Sequence, residues 1–356
     1  MARLMTRREF VGASASAAVM SGLGGVRRPA DFVWADLLHF ATNMWGDDGL
    51  TPGVHSYANK PPAPPAKRLK FDEAVWKRLT AALAKAGGNM VVIDVGDAVR
   101  CPSHPEIALE DAWTPERLHA EVRRLKGLGL EPIPKLNFST THDQWLKIYN
   151  RMIGTPKYYE CVAGVIADVC DIFGKPRFFH LGLDEEDYDQ AKGFTGLGIF
   201  RRGTAWWHDV RFYADCCEKG GARPWMFSDY HGAWPDDFVK NCPKSVVQSP
   251  WYCKTGFDRN PDSDKKASNW FWKNKLESVE KLGKAGFDLI PCGSNYYDPK
   301  SFEGLVEYGD RVVPRERLLG YLMAPWAFTL PGGTEQKSLE AIGQLGAARR
   351  QHAMRG

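Results

Sequence analysis

The chain lacks the spacings that frame a structural zinc site: none of its 8 cysteines forms a CxxC, and no HxH occurs. The phosphate-binding patterns GxGxxG and GxxxxGK(S/T) are missing, which argues against a nucleotide cofactor. Neither GxSxG nor HExxH is present, so a serine-hydrolase elbow and a zinc-protease helix are excluded as readings. No cofactor and no metal are expected. One-sided charge is missing too. Five of the 47 basic residues and one of the 43 acidic ones lie within the first 28 positions, leaving 42 of each in the rest. A balanced body gives no electrostatic reason to expect nucleic acid or an anionic membrane as partner.

The apolar stretch near the N-terminus is short. Arg7 and Arg8 precede Phe10 and a run of Ala, Val and Ser that cannot span a bilayer. This pattern reads as a twin-arginine export signal over residues 1–30, which would place the remainder, 31–356, in the periplasm or outside the cell. A disordered basic tail is the plainer alternative. Cys161 and Cys170 fall in an apolar helical pattern and read as small core residues, and export of a folded chain leaves disulfides optional.

What is present is a rhythm. Apolar segments recur at 32–42, 88–96, 130–138, 177–185, 223–230, 245–252, 288–297 and 318–326. Between several of them lie helical patterns. Val75, Leu79, Ala82 and Leu83 share one face of a helix that stops at Gly87 and Gly88. Thr114 and Pro115 open a second helix that carries Leu118, Val122, Leu125 and Leu128 towards a sheet. Eight strand signals in βα alternation predict an α/β fold, a single (β/α)8 TIM barrel, with a proline-rich loop at 44–70 after the first strand.

In such a barrel the site is assembled where strands run into the following loops. That rule collects Asp94 and Asp97 after strand 2, Lys135 and Asn137 at strand 3, and His180, Asp184, Glu185 and Glu186 at strand 4. Asp229 and His231 belong to strand 5, Trp251 and Tyr252 to strand 6, Asn295, Tyr296, Tyr297 and Asp298 to strand 7, and Trp326 to strand 8. Acids beside large aromatics on one rim are the ingredients of a sugar site, because ring faces cover sugar C–H surfaces while carboxylates bind hydroxyls or move protons. Each residue alone also has a plain reading, as packing for a Trp or as a helix cap for an Asp.

The stretch HLGLDEE, His180 to Glu186, resembles the His-x-Gly-x-Asp-Glu signature of the family 20 glycoside hydrolases, the β-N-acetylhexosaminidase group. The segments KGLGLEPIPKLNF, RPWMFSDYHG, VVQSPWY, GSNYYD and YLMAPWAF are similar to later parts of the same family pattern, so the resemblance covers roughly residues 75–330. It implies a retaining, substrate-assisted reaction on β-linked N-acetylhexosaminides. Glu185 would be the acid and then the base, Asp184 would orient the acetamido group, and Tyr297, or less favoured Tyr296, would donate to its oxygen. His180 would organise the strand end; Trp225, Trp251 and Trp326 would form walls; Asp229 would bind a hydroxyl or the acetamide.

The chain departs from the family in four places. Leu183 stands for a second Gly, Lys135 for a Glu, Ala327 and Phe328 for Gly and Glu, and the first strand has no Arg, for which Arg100 is a candidate replacement. Two other readings follow from these departures: a glycosidase for a different sugar with a second enzyme carboxylate, and a catalytically silent carbohydrate-binding barrel. In every reading the partner is a carbohydrate, and no integral membrane segment is expected in the mature chain.

Overall fold

The computed structural model describes residues 32–45, 65–186, 201–254, 256–257 and 267–355. The export signal expected at 1–30 and most of the proline-rich loop, 46–64, lie outside them. The ends of that loop meet: Asn43 donates to the Ala66 carbonyl at 2.8 Å and accepts from the Ala66 N–H at 2.7 Å.

Eight parallel strands form the sheet: β1 Val33–His39, β2 Met90–Asp94, β3 Glu131–Lys135, β4 Phe178–His180, β5 Arg223–Phe227, β6 Val247–Ser249, β7 Cys292–Gly293 and β8 Gly320–Met323. Each falls inside one of the eight expected segments. The hydrogen-bonded order is β6-β5-β4-β3-β2-β1-β8-β7, and parallel bridges Gln248–Leu289 and Trp251–Cys292 close the seam between β6 and β7. The result is a (β/α)8 barrel.

Alternation along the strands sorts the side chains into two cores. Val33, Ala35, Leu37, Met90, Val92, Ile133, Phe178 and Val247 fill the interior. Trp34, Leu38, Val91 and Ile93 face the helices. The cross-strand register places His39, Asp94, Lys135, His180, Trp225 and Val247 side by side, so one inward-facing row is largely polar.

The principal helices are α1 Glu73–Ala86, α2 Pro115–Gly127, α3 Pro156–Phe173, α4 Thr204–Lys219, α5 Asp229–Ala233, α6 Pro235–Asn241, α7 Ala267–Lys284, α8 Ser301–Val312 and α9 Gly333–Arg355. Asp72 caps α1 by accepting from the Val75 N–H, and Gly87 ends it at φ 90°. Thr114 caps α2 with Pro115 in its first turn. Leu118, Val122 and Leu125 are buried as expected, whereas Leu128 is exposed because it lies just past the last helical turn. Helices α4, α6 and α7 are not marked by the apolar pattern. The buried side of α4 is built from Trp206, Trp207, Tyr213, two cysteines and the charged Asp209 rather than from an aliphatic stripe. All 8 cysteines are buried free thiols. No helix among the described residues is long and apolar enough to cross a membrane.

Candidate active site

Strand β4 ends at His180, and the chain then makes a left-handed turn through Gly182 (φ 68°), Leu183 (φ 64°) and Glu185 (φ 59°). Left-handed backbone costs a residue with a Cβ about 1–2 kcal/mol, so the turn needs support from outside. Asn137, just beyond β3, provides part of it: its Oδ1 accepts from the Leu183 N–H at 3.2 Å, and its Nδ2 donates to Asp184 Oδ1 at 2.8 Å. Ser139 donates to the Asp184 carbonyl at 2.5 Å. His180 is wholly buried, and its Nδ1 accepts from the Gly182 N–H at 3.0 Å, so the proton sits on Nε2. A Cβ at Gly182 would land on the Asn137 side chain and only 2.8 Å from its Cα. Gly182→Ala should therefore cost about 2 kcal/mol or more in a denaturant melt, and a change below 0.5 kcal/mol would show that the turn gives way freely.

The two acids emerge together. Glu185 Oε2 lies 3.0 Å from His142 Nε2, and Asp184 Oδ2 lies 3.6 Å from the same nitrogen. His142 is buried, and that burial holds its pKa below the ordinary histidine value, so the imidazole is neutral. A neutral ring with its proton on Nε2 donates to Oε2 of Glu185 whether the acid is ionised or carries its proton on the other oxygen.

The neighbouring carboxylates are committed elsewhere. Asp94 accepts from Lys135 Nζ at 2.5 Å, with His39 Nδ1 at 3.4 Å. Burial works against its charge, but Lys135 and His39 outweigh that, and its pKa falls below the usual range. Asp97 is bonded to Asn43 at 2.7 Å, and burial pushes its pKa up to about 6. Glu186 accepts from the Thr140 N–H at 2.8 Å, Arg201 at 2.8 Å and Trp206 Nε1 at 2.6 Å. Asp229 accepts from the Glu185 N–H at 2.7 Å and is ion-paired with Lys275 of α7.

Aromatic rings line one side of the mouth. Trp251 is half-buried against Phe271 and Trp272, and Trp272 meets Tyr297 edge-on at 5.5 Å. Tyr296 and Tyr297 are 50% and 56% exposed. Half-buried Trp326 sits 6.1 Å from His39 and 6.0 Å from Phe227 between ring centroids.

The structure thus gathers Asn137, Asp184, Glu185 and Asp229 directly, with Trp251 linked to them through Lys275, whose ammonium lies 4.1 Å over its ring. Trp225, expected as a wall, is fully enclosed in the barrel beside His180, because the pleat of β5 turns it inward. Asp94, expected at the rim, lies in the buried polar row. Arg100 is exposed and joins none of these contacts. His142 and Lys275 were not among the expected residues. His142 follows the third strand in a polar STTHD loop, the one local signal that was available. Among the described residues, no group of three or more His, Cys, Asp or Glu side chains is arranged to hold a metal ion.

No protein-family model and no curated protein matches the sequence. Solved structures do. A GH20 exo β-N-acetylglucosaminidase from Vibrio harveyi shares 12% identity over 91% of this chain and 57% of its own, with a TM-score of 0.54. A Flavobacterium johnsoniae chitobiase shares 16% identity over 79% of this chain and 50% of its own, with a TM-score of 0.53. A catalytic module of the pneumococcal exo-β-D-N-acetylglucosaminidase StrH shares 13% over 91% of this chain and 84% of its own, at 0.57. This chain therefore spans just over half the length of the Vibrio enzyme and half that of the chitobiase, and what it shares with all three is the GH20-like barrel fold.

Proposed function

We propose that the protein is a retaining glycoside hydrolase acting on β-linked N-acetylhexosaminides with assistance from the substrate. One observation carries this reading: Asp184 and Glu185 emerge together beside His142, with Asn137 holding Asp184, while the other strand-end acids Asp94, Asp97, Glu186 and Asp229 each have an internal partner. A conventional retaining site needs a second carboxyl about 5–5.5 Å from the first. The 2-acetamido oxygen of the substrate fills that role without one.

In the first step the acetamido oxygen bonds to C1 as the C1–O bond to the leaving group breaks, and Glu185 gives its proton to the departing oxygen. Asp184, fixed by Asn137, accepts from the acetamido N–H and stabilises the positive charge of the oxazolinium. In the second step water attacks C1, Glu185 takes its proton, and the acetamide is restored. Neutral His142 keeps a hydrogen bond to Glu185 through both protonation states. Trp251 and the two tyrosines supply ring surface for the sugar.

A panel of aryl glycosides tests the reading. Release of the aryl group is expected from 2-acetamido-2-deoxy-β-hexosides, with release from the matching 2-hydroxy sugars lower by at least ~10²-fold, since these lack the internal nucleophile. Comparable rates on both would point to an enzyme nucleophile. Sugar binding with no release from any would point to a silent binding barrel.

A further inference from the structure

We propose that Lys275 is a positioning residue for the reaction: through Asp229 it holds the backbone of Glu185 in the conformation that presents the acid. The inference rests on the role given to Glu185 above. Lys275 lies on α7, 90 positions after Glu185 in the sequence, and is 4% exposed. Its ammonium pairs with Asp229 Oδ1 and lies 4.1 Å over the Trp251 ring and 5.2 Å from the Phe271 ring. The other oxygen of Asp229 accepts the Glu185 N–H at 2.7 Å. Glu185 is one of two non-glycine residues in the left-handed turn, and Asn137 secures the other, Leu183. Asp229 is thus the clamp on the second.

That clamp works best as an anion, because a carboxylate is a stronger acceptor for an N–H than a protonated carboxyl. Asp229 is 2% exposed, and burial raises its pKa, as does the nearby Asp184 charge; Lys275 pulls in the opposite direction. Without the ammonium, Asp229 tends to take up a proton, its hold on the Glu185 N–H weakens, and the strained φ has less to keep it. Lys275 therefore ties the barrel side of α7 to the geometry of the acid without touching substrate. A buried ammonium over an indole also packs, so the test has to separate clamping from packing.

Lys275→Met keeps the volume and removes the charge. It is expected to lower kcat on the 2-acetamido aryl glycoside ~10- to 10²-fold while KM stays within ~3-fold. Adding Asp229→Asn, whose amide oxygen accepts the Glu185 N–H without needing a countercharge, is expected to restore kcat at least ~5-fold over the single variant. Wild-type kcat in Lys275→Met, a loss confined to KM, or no recovery in the double variant would overturn the proposal and leave Lys275 as packing for Trp251. Lys275→Arg, which retains the charge, replaces the Met variant if that one does not fold, and there kcat is expected to fall less than ~3-fold. A larger fall with unchanged melting temperature counts against clamping by charge. If the wild-type protein releases nothing from any glycoside, the catalytic reading fails separately. Crystal structures of wild type and Lys275→Met then decide: a Glu185 φ that leaves the left-handed region upholds the clamp, and an unchanged φ sinks it.

Discussion

Glu185→Gln is expected to lower kcat/KM on a 2-acetamido aryl glycoside by at least ~10³-fold, or about 4 kcal/mol of transition-state stabilisation, while a product sugar binds within ~3-fold of wild type. The size follows from the role: the residue supplies a proton in the first step and removes one in the second, and an amide does neither. The sparing of affinity follows from the shape. Gln keeps the side-chain volume, its backbone N–H still reaches Asp229, and its amide can still bond to His142. Leaving-group acidity gives the second readout. An aryl group that departs without protonation should lose less from the substitution than a sugar leaving group, so the defect should grow as the leaving group becomes more basic. An unchanged rate, or a defect equal across leaving groups, would remove Glu185 from proton transfer.

Much of the barrel was legible because parallel strands buried on both faces read as continuous apolar runs, and every observed strand lies within such a run. Legibility ended where partners are distant in sequence or where direction matters. Trp225 lies on the expected strand, but a shift of one residue in the pleat decides between rim and interior, and the sequence carries no register. Asp229 was legible as a strand-end acid; that Lys275 would reach it from α7 was not, because no local spacing encodes that contact. Lys135, which stands where the resembling family has Glu, gains its explanation from the cross-strand register with Asp94, beside which it sits as the ion-pair partner. The first left-handed position before the acids is the glycine of the motif, Gly182, which the sequence marks, whereas the second is Leu183, whose conformation no propensity would assign.

The same limit hides the contact with the largest expected effect on stability. Arg201→Met should destabilise the fold by about 3–5 kcal/mol, because it strands two buried carboxylates. The Arg201 guanidinium is 4% exposed and donates to Glu186 at 2.8 Å, Asp209 at 2.9 Å, the Tyr213 hydroxyl at 2.6 Å and the Phe138 carbonyl at 2.9 Å. Glu186 keeps Thr140 and Trp206, neither of them charged, and Asp209 keeps Tyr159 and the exposed His208 at 3.1 Å, with no buried cation among the described residues left for either acid. At about 2 °C per kcal/mol for a chain of this size, the melting temperature should fall by ~6–10 °C. The loss should narrow in acid, where an unpaired buried carboxyl can take up a proton. It should narrow further when Glu186→Gln is added, since one of the stranded charges is then gone, and a double variant no more stable than the single would show that charge is not the cause. Glu186 also follows Glu185 directly and binds the β3 loop that carries His142, so the single variant should lose activity before it unfolds. The network thereby couples the outer helix α4 to the placement of the acid, and a melting temperature within 2 °C of wild type would mean the three charged groups contribute packing alone.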